Sequence, residues 1–197
     1  MTIIGITGQT GAGKSTVCEI LKNEGYYHID ADEVAHTVIE SDEAVLKSLS
    51  DSFGSDIIKK DGTLSRPRLA KRAFKDKQSA EKLDSICYPA VVKEIKRIIS
   101  RVSREDYKGI LIDAIGLFES KADGLCDFTV SVTAPKEVRL ERIIKRDSIS
   151  RESALKRIEA QKDESFYTES ANYTLVNDRS FDLNKQISEI LINEQAK

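Results

Sequence analysis

The residues best equipped for chemistry are Gly8-Gln9-Thr10-Gly11-Ala12-Gly13-Lys14-Ser15, which satisfy G-x-x-x-x-G-K-[ST] at every fixed position. Glycines let the backbone take positive φ and turn its N–H groups inward as an anion nest. A helix starting at Lys14 would add the partial positive charge of its first turn. Lys14 would reach the β- and γ-phosphates, and the Ser15 hydroxyl would ligate Mg²⁺. Gly8, Gly11, Ala12, Gly13, Lys14, Ser15 and Thr16 are therefore the expected nucleotide-binding positions, and the nucleotide is a triphosphate. The bland alternative, a glycine-rich turn with no ligand, explains neither the lysine nor the hydroxyl.

Two carboxylates could serve such a site. Asp30-Ala31-Asp32 closes a strand-like run, and ligands of open α/β sheets sit beyond the carboxyl ends of strands. Asp30 suits the N-cap of a following helix, which leaves Asp32 as the candidate base for an acceptor hydroxyl. Asp113 ends the apolar run Ile110-Leu111-Ile112, a place for a carboxylate that holds Mg²⁺ through water. Arg139, Arg142 and Arg146 stand at i, i+3 and i+7 and so share a helix face after Pro135. Phosphoryl transfer needs cationic groups over the phosphates, and these arginines could supply them from a closing lid. The competing reading is a salt-bridged exposed helix pair.

Elements able to position these groups alternate along the chain. Thr2–Thr7, Tyr26–Asp30, Lys108–Ala114, Phe128–Val132 and Tyr173–Val176 read as strands, with helical periods at Lys14–Glu24 and Ala31–Glu40. That rhythm predicts an α/β fold whose parallel five-stranded sheet is flanked by helices. Residues 41–107 interrupt it with helices at Ala44–Phe53, Arg66–Phe74 and Lys77–Val102, a turn at Asp61-Gly62, and a kink or break at Pro89. From Lys59 to Lys108 there are 15 basic and 7 acidic residues, a local net charge of about +8 that suits a polyanionic ligand. The expected layout is one domain with its core at 1–32, 108–135 and 166–197. A helical acceptor-binding insert spans about 33–107, and a helical lid about 136–165.

Composition narrows the classes. The whole chain of 197 residues is nearly neutral, with 31 Lys and Arg against 33 Asp and Glu, which disfavours nucleic acid as a partner. No apolar run reaches the roughly 20 residues of a membrane span, and Met1–Thr7 does not read as a signal peptide. Cys18, Cys87 and Cys126 are scattered, as in a reduced cytoplasmic protein, and two histidines make a His-rich metal site improbable. A GTPase would carry Asn-Lys-x-Asp or Thr-Lys-x-Asp and an ABC-type ATPase Leu-Ser-Gly-Gly-Gln, and none of these occurs. What remains is a small P-loop kinase using ATP and Mg²⁺; a non-catalytic ATP-gated module is the contrasting reading.

Taken in order, the motifs resemble those of the dephospho-CoA kinase family. Gly5–Val17 is similar to its P-loop, Ile29–Asp32 with Ala35-His36 to its Asp-Ala-Asp segment, and Arg142–Asp147 to its lid motif with Ile143 for Leu. Arg68–Phe74 with Leu83, Ile86 and Pro89 resembles its acceptor helices, Gln161 its lid glutamine, and Asn177 an Asn near the adenine. The chain departs at Tyr88-Pro89 (His-Pro in the family), at Ala114-Ile115-Gly116 after Asp113, and at Arg139, commonly Gln. The resemblance implies a fold like the nucleoside-monophosphate kinases and phosphorylation of the ribose 3′-hydroxyl of dephospho-CoA. It also implies Asp32, Lys14, Arg142 and Arg146 as catalytic residues, Ser15 and Asp113 as metal-holding residues, and a monomer. A kinase of another small acceptor, such as a nucleoside or nucleoside monophosphate, is the alternative.

Overall fold

The computed structural model describes residues 1–178 and 180–196. Its contacts divide the chain into two compact units, Asp30–Arg104 and the segments on either side of it.

The flanking segments build the sheet. Strands β1 (Thr2–Thr7), β2 (Tyr26–Asp30), β3 (Gly109–Asp113), β4 (Phe128–Thr133) and β5 (Tyr173–Val176) lie in the order β2-β3-β1-β4-β5. β1 pairs in parallel with both β3 and β4, and β4 with β5. The three central strands are buried along most of their length, as strands covered on both faces must be. On one face Ile4, Ile6, Leu111, Val130, Val132 and Leu175 pack with Val17, Cys18 and Leu21 of α1 (Lys14–Asn23). Ile187 of the last helix joins them. The α/β class and five parallel strands are as the alternation of periods predicts. Beyond β4, α6 (residues 136–147) and α7 (151–159) close on a small core of Leu140, Ile143, Ala154 and Ile158.

The second unit is helical. Its helices α2 (Ala31–Ser41), α3 (Glu43–Phe53), α4 (Arg66–Ala73) and α5 (Lys77–Val102) bury Val38, Val45, Leu49, Phe53, Leu69 and Cys87 together. The Asp61-Gly62 turn forms as expected: Asp61 Oδ1 accepts from the Thr63 amide at 3.0 Å, and Gly62 has φ +82°. Pro89 does not break the chain. α5 runs unbroken through it for 26 residues, because one missing N–H costs about 3 kcal/mol, while Cys87, Val91, Ile95 and Val102 bury a stripe from just before the proline to the end of the helix. The basic excess of this region is partly answered from outside it, since Arg66 pairs with Glu40 and the Arg72 fork with Asp56, at 2.6–2.8 Å.

Burial pushes the Cys126 thiol up to about 12 and that of Cys87 to about 11, so folding favours the neutral thiols. The resulting stability is complete below the ordinary thiol value of 9.0 and drains away as pH rises toward about 12. Denaturant midpoints should therefore fall across that window, and fall less steeply in Cys126→Ala.

Candidate active site

The loop between β1 and α1 is shaped by what a side chain would strike. Gly8 has φ +129°, and a Cβ there would lie 2.2 Å from the Val132 carbonyl oxygen of β4. Gly13 has φ +101°, and its Cβ would lie 1.8 Å from Asn177 Nδ2. Only glycine meets both the backbone angle and the approach. Gly13 is also the N-cap of α1; no side chain caps that end, and no acid occupies the first turn. The positive end of the helix is thus kept for an anion.

The loop carbonyls are held by named donors. Arg142 gives Nη1 to the carbonyls of Gly11 (3.2 Å) and Ala12 (3.1 Å) and Nη2 to that of Asn177 (3.2 Å). The buried Asn177 side chain donates to the Ala12 carbonyl at 2.8 Å. Lys14 folds back over the loop, Nζ 3.2 Å from the Gly8 carbonyl, and Ser15 and Thr16 are exposed on the first turn of α1. Gly8, Gly11, Ala12, Gly13, Lys14, Ser15, Thr16 and Asn177 therefore meet around one loop.

The three arginines of α6 do not act as a set. Arg139 is buried, its guanidinium on Gln9 Oε1, while Gln9 Nε2 donates to the Lys162 carbonyl at 2.8 Å. Burial pulls Arg139 below the usual guanidinium value, opposed by Glu164 and Tyr167. Arg142 braces the loop. Arg146 forks onto Asp147 at 2.8 and 3.0 Å and holds that carboxyl below its usual range. Spacing correctly gives a shared helix, but position along the helix axis decides what each arginine meets. The expected lid glutamine does reach the loop: Gln161 Oε1 accepts from the Thr10 amide at 2.8 Å.

Asp113 ends β3, in register with Ile6 of β1. Its Oδ2 is 3.7 Å from Cys18 Sγ and 3.7 Å from His28 Nε2. Cys18 stands one turn after Ser15 on α1, so Asp113 lies against the helix face that carries the Ser15 hydroxyl. Asp32 belongs to the second unit. It is exposed on the first turn of α2, its amide 2.9 Å from Oδ1 of Asp30, which caps that helix as predicted. Sequence reading missed Gln9, the buried role of Arg139, and the company Asp113 keeps. The Gln9 amide carried no signal beyond a variable place in the loop motif, and His28 lies on an edge strand just outside the Ile29–Asp32 motif.

An uncapped helix behind a glycine cradle, at the carboxyl edge of a parallel sheet and tied to an arginine-bearing helix pair, is how P-loop kinases hold ATP, and this chain is such a kinase. Within that class it belongs to the dephospho-CoA kinase family, whose profile matches residues 2–182. A dephospho-CoA kinase of Lactobacillus johnsonii is 33% identical over 189 residues, which cover 95% of this chain and 96% of that one. A Thermus thermophilus protein of known crystal structure superposes with a TM-score of 0.80 at 31% identity, covering 98% and 97%. The dephospho-CoA kinase of Campylobacter jejuni superposes at 0.66 with 25% identity, covering 96% and 94%.

Asn177 and Gly13 should be coupled. Asn177→Ala leaves the Ala12 carbonyl with Arg142 as its remaining side-chain donor and should weaken ATP binding about tenfold, the loss of a hydrogen bond of roughly 1.5 kcal/mol. Gly13→Ala should abolish ATP binding, and calorimetric titration of the folded variants checks both.

Proposed function

We propose that this kinase transfers the γ-phosphoryl group of ATP to the ribose 3′-hydroxyl of dephospho-CoA, giving coenzyme A and ADP, the closing step of coenzyme A synthesis. The observation that carries the reading is the Gly8–Ser15 loop, with two glycines that admit no Cβ, carbonyls tied back by Arg142 and Asn177, and a bare helix end. Family membership along nearly the whole chain supplies the acceptor.

The loop amides and Lys14 hold the β- and γ-phosphates and offset the charge that grows on the bridging oxygen as its bond to the γ-phosphorus breaks. Asp32 accepts the proton of the 3′-hydroxyl while that oxygen bonds to the γ-phosphorus from the opposite side. Arg142 and Arg146 close over the phosphates when ATP binds, Arg146 by leaving Asp147. Asn177 sits near the adenine. The remaining lysines and arginines of the helical insert, about 33–107, hold the acceptor's diphosphate, and the lid is about 136–165. The oxygen donors of Ser15 and Asp113 suit Mg²⁺, Asp113 through a water. When bound, that ion neutralises the β- and γ-phosphate oxygens. The chain acts as a monomer in the cytoplasm, where its three widely spaced thiols stay reduced, and no described helix is long and apolar enough to cross a membrane.

Labelled ATP offered to dephospho-CoA, nucleosides and nucleoside monophosphates tests the acceptor: label should enter dephospho-CoA efficiently and the others poorly. Asp32→Asn should retain ATP affinity and lose about 10²–10⁴-fold in turnover, the worth of a positioned base. Turnover near that of the unaltered enzyme would remove Asp32 from the role. Lys14→Ala should lose productive ATP binding.

A further inference from the structure

Cys18, His28 and Asp113 come from three different elements of the sheet unit, α1, β2 and β3, yet their ligand atoms all lie within 4.8 Å of one another. Cys18 Sγ and His28 Nε2 each stand 3.7 Å from Asp113 Oδ2. A tetrahedral zinc ion with ordinary bond lengths sets its sulfur, nitrogen and oxygen ligands about 3.4–3.6 Å apart, so both measured edges are within a few tenths of an ångström of that figure. Cys18 is 1% exposed, and His28 Nε2 is buried without a hydrogen-bond partner. A buried ring nitrogen of this kind costs free energy unless something accepts or donates to it. A metal ion would use its lone pair, with the ring proton on Nδ1.

We propose that these three side chains form a site for a soft divalent cation, zinc first among them, and that its occupancy inhibits the enzyme. A thiolate, an imidazole and a carboxylate are the donor set zinc favours, and sulfur and nitrogen donors are ones magnesium avoids. Binding deprotonates the Cys18 thiol and releases that proton to solvent. Three protein ligands leave a fourth position for water. The inhibitory half rests on the reading of Asp113 given above. A zinc ion holding Oδ2 withdraws that carboxylate from the water shell of magnesium. The proposed reaction draws on neither the Cys18 thiol nor the His28 ring, so the site can be removed while Asp113 and the other groups of that reaction are kept.

Cobalt(II) and zinc added separately to the nucleotide-free full chain test the site itself. One cobalt per chain should bind with a sulfur-to-cobalt charge-transfer absorption that zinc abolishes. Cys18→Ser should lose that absorption, and Cys18→Ser and His28→Gln should each weaken zinc binding more than tenfold. Cobalt bound without the absorption, or an absorption that survives Cys18→Ser and so belongs to Cys87 or Cys126, would overturn the site. For function, zinc should inhibit the unaltered kinase at saturating magnesium, a chelator should restore it, and both variants should turn over in the presence of zinc. Zinc that displaces cobalt from the sulfur-bearing site but leaves turnover intact overturns the inhibitory half and the magnesium role of Asp113 together, while the site stands.

Discussion

A row of backbone amides can enclose a highly charged phosphate chain only if no side chain stands between them and their own carbonyls face elsewhere. Every feature around the Gly8–Ser15 loop serves that constraint. Gly8 passes against the Val132 carbonyl and Gly13 against Asn177, both at angles where an L side chain is strained. Arg142 and Asn177 then occupy the carbonyls of Gly11 and Ala12, so the loop needs no ligand to keep its shape. This is preorganisation, in which the ordering cost of the loop is met on folding rather than on binding. The parallel sheet sets the stage, because only a register that puts Thr7 beside Ser131 brings the loop onto the end of β4.

The same loop is also fastened to the helix pair beyond β4. Thr10 bonds to Gln161, and Gln9 links the buried Arg139 to the Lys162 carbonyl. Such bonds are each worth about 1 kcal/mol net, more where a guanidinium takes part. Any movement of the α6–α7 pair away from the Gly8–Ser15 loop must give up these contacts, so the loop and the helix pair share one set of polar ties. Arg139 itself holds its charge in a buried place with only part of its donor capacity met; its Nε has no partner. That is the less comfortable arrangement.

Much of this layout was legible in the residues. Short apolar, β-branched runs and period-3.6 patterns placed the five strands and most helices within a residue or two, because burial on a parallel sheet or in a helical core leaves a local signature. The loop motif was legible for the same reason, since its chemistry is contiguous. Asp30 as an N-cap, rather than Asp32, followed from position alone. Of the two outcomes that Pro89 allowed, the break does not occur, because its local cost is smaller than the burial of the α5 stripe, and that burial is a property of the packed unit. Arg139, Arg142 and Arg146 share spacing but not surroundings, and no helical wheel says that one would be buried on Gln9. Cys18 and His28 stand on successive elements, but Asp113 is far from both in sequence and meets them only through strand order, so nothing short of the fold could bring the three together.

The central claim is that the terminal phosphoryl group of a nucleotide held in this loop reaches one particular alcohol. Phosphorus NMR of the product formed from ATP and dephospho-CoA tests it most directly, because the new phosphate's coupling identifies the carbon that bears it. The account predicts a single new monoester on the ribose 3′ oxygen, appearing in step with ADP. ADP formed with the new phosphate on another oxygen, or with only inorganic phosphate released, would contradict it.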